Sequence, residues 1–239
     1  MSFVITLYVR EGIVMAGDSR LALNQSRQQD GRTILHIAVG QADSHYKLFL
    51  APSQIGISTF GEAAIKGAPI AGFIESFIAE RLRGKELSVH EVAREVLDYF
   101  SQFPGPPEAG FHVAGYETRD GRRVPQVWRV LVRAGQAQQV NAKEVQGASW
   151  DGEGDILQRL LNPVFMQDQA GAYQPVPVFE IPWPFFTLQE AIDFATFAIR
   201  ATAEAMRFQA RPQSVGGPID VLVIKPDGAF WVQRKELHA

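Results

Sequence analysis

A serine stands directly after the initiator methionine, and this is the residue from which chemistry is most readily argued. Met followed by a small residue is the ordinary context for removal of the methionine, which would leave Ser2 with a free α-amine. Such an amine has a reference pKa of about 8, close enough to neutrality to act as general base for the hydroxyl of its own residue. The chemistry on offer is acyl transfer to the Ser2 oxygen, and no histidine is required for it. A companion acid is suggested by the local pattern. Residues 3–9 are dense in β-branched and aromatic side chains, Glu11 and Gly12 offer a turn, and 13–17 run back. With the turn centred on Glu11, Val9 opposes Ile13, Val4 opposes Asp18 and Ser2 opposes Arg20. Asp18 then lies diagonally across the ladder from Ser2, a separation of about 7 Å.

The elements that must hold these residues follow from periodicity. Residues 19–45 are polar, with a short apolar patch at 34–39 that offers a strand within them, and read as a long excursion. Residues 47–50 and 55–60 read as a second strand pair, turning at Ala51-Pro52-Ser53. Residues 62–83 read as a helix whose early part is weakened by Gly67, Pro69 and Gly72. Ser88 to Glu91 is a capping box opening a second helix, with Val89, Val92, Ala93, Val96 and Phe100 on one face. Strands are expected at 111–116 and 127–132, and a short helix at 154–161. Residues 162–184, with five prolines, read as an ordered loop. A second capping box, Thr187 to Glu190, opens a helix carrying Leu188, Ala191, Ala195, Ile199 and Met206. Strands at 219–224 and 230–233 close the chain around Pro226-Asp227. Strand runs alternating with helix runs point to an α+β fold of antiparallel sheets with segregated helices, in a single domain over 1–239.

Composition narrows the function classes. With 23 Lys+Arg against 26 Asp+Glu, the net charge is −3, the wrong balance for a phosphate-binding surface. Cysteine is absent, which excludes disulfides, thiolate metal sites and a thiol nucleophile. His36, His45, His90, His112 and His238 show no HExxH spacing, and the glycine pairs lack the strand and helix context of phosphate loops. No apolar run reaches the about 20 residues of a membrane span, and the first residues lack the signature of a secretory signal. No metal, cofactor, nucleic-acid or membrane partner is expected, and the expected location is cytoplasmic.

Gly12-Ile13-Val14-Met15-Ala16-Gly17-Asp18-Ser19-Arg20 resembles the "GVVLAADSR" element of the proteasome-type N-terminal nucleophile hydrolases, and aligning Asp18 on the family's acid puts Ser2 on its N-terminal nucleophile. Tyr46 to Phe49, Ile55 to Gly61, His112 to Glu117 and Ser214 to Ile224 resemble further family segments in order, the last being especially similar to the bacterial Anbu-like branch. The resemblance implies a four-layer αββα sandwich and hydrolysis of a peptide or amide by Ser2. In that scheme Lys47 favours the ionised hydroxyl, Asp18 orients Lys47, and the Gly61 N–H stabilises the oxyanion. Taken without the resemblance, Lys47 is a solvated strand charge and Gly61 a strand-to-helix junction whose N–H groups suit an anion. The resemblance also implies self-assembly into a ring or helical homo-oligomer. Two departures from the family stand out. The 19–45 segment is longer than in ordinary β subunits, and the acid that normally precedes Ser-Gly-Gly is missing from Gln209 to Gln213. Within Ser149 to Gly154, Ser149 or Asp151 is the candidate stand-in for that support. Two rival readings are a non-catalytic subunit of the same fold and a small-molecule amidase.

Overall fold

The computed structural model describes residues 2–29 and 32–236, and their side chains except those of 23–40. In chain order the elements are β1 (Phe3–Val9), β2 (Gly12–Gly17), β3 (Leu21–Gln29), β4 (Arg32–Ala42), β5 (Leu48–Ala51), β6 (Ile55–Gly61), β7 (Ala64–Ile65), β8 (Ala68–Pro69) and α1 (Ile70–Phe77). After them come α2 (Val89–Ser101), β9 (Ala109–Arg119), β10 (Arg122–Leu131), β11 (Gln136–Gln139), β12 (Gly147–Gly152), α3 (Asp155–Leu161), β13 (Phe165–Gln167), β14 (Tyr173–Pro175), α4 (Leu188–Met206), β15 (Asp220–Lys225) and β16 (Gly228–Gln233). One five-stranded sheet runs β12-β1-β2-β15-β16 and a second β11-β10-β9-β6-β5, and the pairings in both are antiparallel.

The two-residue period of a strand sorts its side chains between two faces, and the buried clusters follow that sorting. Phe3, Ile5 and Leu7 of β1 cluster with Val14 and Ala16 of β2, Val221 and Val223 of β15, and Ala191, Ala195, Ala198 and Ile199 of α4. The opposite set on β2 and β15, Ile13, Met15, Leu222 and Ile224, clusters with Leu48, Ala114 and Val127 of the second sheet. Ile57, Phe111, Val113 and Val130 of that sheet cluster in turn with Ile74 and Phe77 of α1 and Val92, Val96 and Phe100 of α2. Both capping boxes form: Ser88 Oγ accepts the Glu91 N–H at 3.2 Å, and Thr187 Oγ1 the Glu190 N–H at 3.2 Å.

Four expectations are corrected. The first hairpin pairs Val9 with Gly12 and Val4 with Gly17, one residue from the register drawn from a turn centred on Glu11, because the turn takes Arg10 and Glu11 together. Residues 19–45 hold the paired strands β3 and β4, so the excursion is a ribbon that joins neither large sheet; the apolar patch at 34–39 lies in β4, whereas polar composition concealed β3. The helix expected from residue 62 begins at Ile70, after Pro69, and the residues before it form the β7/β8 pair. Residues 162–184, expected as a loop, hold the short β13/β14 pair; β11, rich in glutamine, and β12, begun and ended by glycine, carried no strand signal and are sheet edges.

Candidate active site

The first hairpin, the start of β5 and the loop before β15 converge on one carboxylate. Asp18 follows β2 directly, and its Oδ1 accepts the Phe3 N–H at 3.0 Å while Oδ2 accepts the N–H groups of Arg20 at 3.1 Å and Gly216 at 3.0 Å. Lys47 Nζ lies 2.5 Å from Asp18 Oδ1 and donates to the Arg20 carbonyl at 2.7 Å. The side chains are 0% and 7% exposed, so this is a buried ion pair whose carboxylate is satisfied by four donors. Lys47 is fixed from behind by its own carbonyl, which accepts the Thr59 N–H of β6 at 2.9 Å. Burial pulls the Lys47 ammonium below the ordinary lysine range, and the attraction of Asp18 opposes that fall.

Ser2 is itself buried, at the mouth of β1. Its carbonyl accepts the Glu153 N–H at 2.8 Å, just past β12. It lines a narrow recess with Tyr46, Lys47, Gly61 and Ile70, and a larger cleft of about 800 Å³ with Leu21, Gly61, Glu62, Gly152 and Glu153. Two glycines shape the rim. Gly61 has φ +86° and a Cβ there would lie 2.4 Å from the Glu108 carbonyl oxygen; Gly152 has φ +92° and a Cβ there would lie 1.8 Å from the Ser2 carbonyl oxygen. Only glycine combines that backbone conformation with so close an approach. Gly61 therefore shares the cleft with Ser2.

Ser149 and Asp151 lie in a different network. Asp151 accepts from Arg129 at 2.7 and 2.5 Å and meets His112 Nε2 at 3.0 Å; Ser149 Oγ lies 3.4 Å from the same nitrogen. His112 Nδ1 meets Thr6 Oγ1 at 3.0 Å, so a fully buried histidine of β9 ties the second sheet to β1 and β12 of the first. Burial pushes the Asp151 carboxyl up, but the hydrogen bonds from His112 and Arg129 outweigh it and hold it below the usual range. No local pattern marked a partner for His112, because Thr6 and Asp151 lie far from it in the chain. Glu153 was likewise unmarked. It lies in the Ser2 cleft and its Oε1 accepts the Ser214 hydroxyl at 2.9 Å. Among the described residues no group of three His, Asp or Glu gathers in a way that could hold a metal ion. Among the same residues no helix is long and apolar enough to cross a membrane.

Two sheets, their helices and this cleft define a known architecture. The chain shares its fold with Anbu: a mutant of that protein from Hyphomicrobium sp. strain MC1 superposes with a TM-score of 0.64, covering 98% of this chain and 86% of the other at 16% sequence identity. No protein-family profile matches the sequence, and no curated protein matches it either.

Proposed function

We propose that this chain is a proteasome-like N-terminal nucleophile hydrolase that cleaves a peptide or amide bond with Ser2 Oγ, on a four-layer αββα sandwich. The observation that carries this reading is the buried Asp18–Lys47 pair, whose Asp18 Oδ1 also grips the Phe3 N–H, the amide next to the nucleophile. After loss of Met1, the Ser2 α-amine takes the hydroxyl proton as Oγ bonds to the substrate carbonyl carbon, with Lys47 stabilising the developing negative charge. Asp18 holds Lys47 in place, and the Gly61 N–H receives the oxyanion. The ammonium then protonates the departing nitrogen as the C–N bond breaks, leaving an acyl ester on Ser2. Water, deprotonated by the same amine, attacks that ester; the acyl C–Oγ bond then breaks, the ammonium returns its proton to Ser2 Oγ, and the acid leaves. Every step uses groups of the chain itself, so no cofactor enters.

The test is labelling with a peptide epoxyketone, which requires both hydroxyl and free amine, read by intact mass. One adduct on Ser2, absent from Ser2→Ala, is expected. A processed chain that resists labelling, with amidase activity unchanged in Ser2→Ala, would refute the reading. The same proposal includes a cytoplasmic location and a ring or helical homo-oligomer; the exposed apolar side chains Phe165, Met166, Tyr173, Phe179 and Phe208 along 165–208 support the assembly. Light scattering of the purified chain checks it, and a monomer at all concentrations would remove it.

A further inference from the structure

We propose that Lys235, just past β16, is a positioning residue for the Asp18–Lys47 pair: it bridges Asp220, on the strand beside Asp18, to Tyr46, the residue before Lys47, and so holds the two sheets together where that pair must close. The hydrolase reading above is needed only for what Lys47 then does. Three observations converge on the bridge. Lys235 donates through Nζ to Asp220 Oδ2 and through its backbone N–H to Asp220 Oδ1 at 2.8 Å, and the two side chains are 4% and 1% exposed, so this is a second buried ion pair. Asp220 opens β15 opposite Gly17 of β2, the residue before Asp18. The Lys235 ammonium also lies 4.4 Å from the centre of the Tyr46 ring, where the ring face attracts a desolvated cation.

Asp18 follows β2 of the first sheet and Lys47 precedes β5 of the second, so their contact exists only where the sheets meet. Lys235 spans the same gap. Tyr46 is the point at which it can act on the site, since that residue is joined to Lys47 and lines the recess beside Ser2. Arg234 stands 5.5 Å from the same ring and 4.8 Å from that of Trp231, which adds a second cation to the support. Charge couples the two lysines as well. Lys235 joins burial in drawing the Lys47 ammonium below the ordinary lysine range, against Asp18 and Asp43. Burial and Arg234 pull Lys235 down in turn, against Asp220 and Asp18. His45, whose charged form both lysines disfavour, and the Tyr46 phenol are the titratable neighbours, and Arg20 is engaged by Asp43. Two ammoniums thus share the carboxylates of Asp18 and Asp220, and neutralising Lys235 leaves Lys47 more firmly protonated.

The experiment observes Lys47 itself. The full chain is isotopically labelled at lysine Cε, the Lys47 resonance is assigned by its loss in Lys47→Met, and it is followed by NMR from about pH 7 to 11, below and above the ordinary lysine value of about 10.4. In Lys235→Met and in Lys235→Gln, the second of which still offers Asp220 a donor, the Lys47 midpoint is expected to rise by about half a pH unit, a change of about threefold in its dissociation constant. Lys235→Arg, which keeps the charge, should return it to the parent value. An unmoved midpoint in the neutral variants would overturn the assignment even if they were less stable, because a merely structural role lowers stability alone. The parent Lys235 resonance should also carry a ring-current shift that Tyr46→Leu abolishes and Tyr46→Phe keeps, and a Lys235 resonance without that shift removes the bridge whatever the variants do. Epoxyketone labelling of the parent reads the hydrolase separately. A Lys47 that moves as expected beside an unlabelled Ser2 keeps Lys235 and removes the hydrolase, whereas a labelled Ser2 beside an unmoved Lys47 removes only Lys235.

Discussion

Removing either partner of the Asp18–Lys47 pair should have unequal consequences, and the inequality follows from what each partner leaves behind. In Lys47→Met the Asp18 carboxylate keeps three backbone donors, from Phe3, Arg20 and Gly216. Methionine refills most of the lysine's volume, so the cost should lie at or below the lower end for breaking a buried pair, about 2–3 kcal/mol. Asp18→Ala instead orphans those three N–H groups, at about 1–3 kcal/mol each, and strands a buried ammonium that retains only the Arg20 carbonyl. Its total of about 5 kcal/mol or more rivals the whole stability of an ordinary domain. Urea denaturation of the two variants reads the difference from their midpoints. Lys47→Met equal to or worse than Asp18→Ala would show that Asp18 is not the structural hub described here. The pH dependence adds a second check. Because the Lys47 pKa is depressed in the folded chain, the unfolded chain binds an extra proton between that depressed value and the ordinary 10.5. Stability contributed by this group therefore rises as pH climbs through that window and is lost as pH falls through the folded value. The difference curve between parent and Lys47→Met should carry that slope, and a flat one contradicts the burial of the charge.

Two further outcomes follow from the same geometry. Gly152→Ala places a Cβ against the Ser2 carbonyl in a left-handed conformation, and should cost about 3 kcal/mol or more in chemical denaturation and displace Ser2 from its label; a stable, fully labelled variant refutes the tight junction. Asp151→Asn leaves Arg129 and His112 without their carboxylate and should destabilise by about 3 kcal/mol near neutral pH. Its folded pKa being lowered, the contribution of Asp151 is present above the ordinary carboxylate value and disappears as pH falls through the lowered one, so parent and variant should converge in acid; parallel acid-unfolding curves would contradict this.

Much of the fold was legible because it depends on local patterns. The α2 and α4 faces, both capping boxes and the turn at Asp120-Gly121 are fixed by residues within a few positions of one another. The nearness of Asp18 to the start of β1 was legible for the same reason, since both belong to one hairpin. The register was not, because a turn of one or two residues moves every partner by one and only the packed ladder decides between them. β11 and β12 escaped because edge strands with one partner need little apolar alternation. Sequence alone therefore determined the kinds of residue available and the elements that carry them. Which carboxylate meets which base was left to tertiary structure. Asp151 joins His112 across the two sheets and Glu153 joins Ser214 near Ser2, although only Gly152 separates the two acids in the chain. Residues 151 and 153 diverge in this way because Gly152, at a positive φ and against the Ser2 carbonyl where no Cβ fits, turns the backbone at the end of β12.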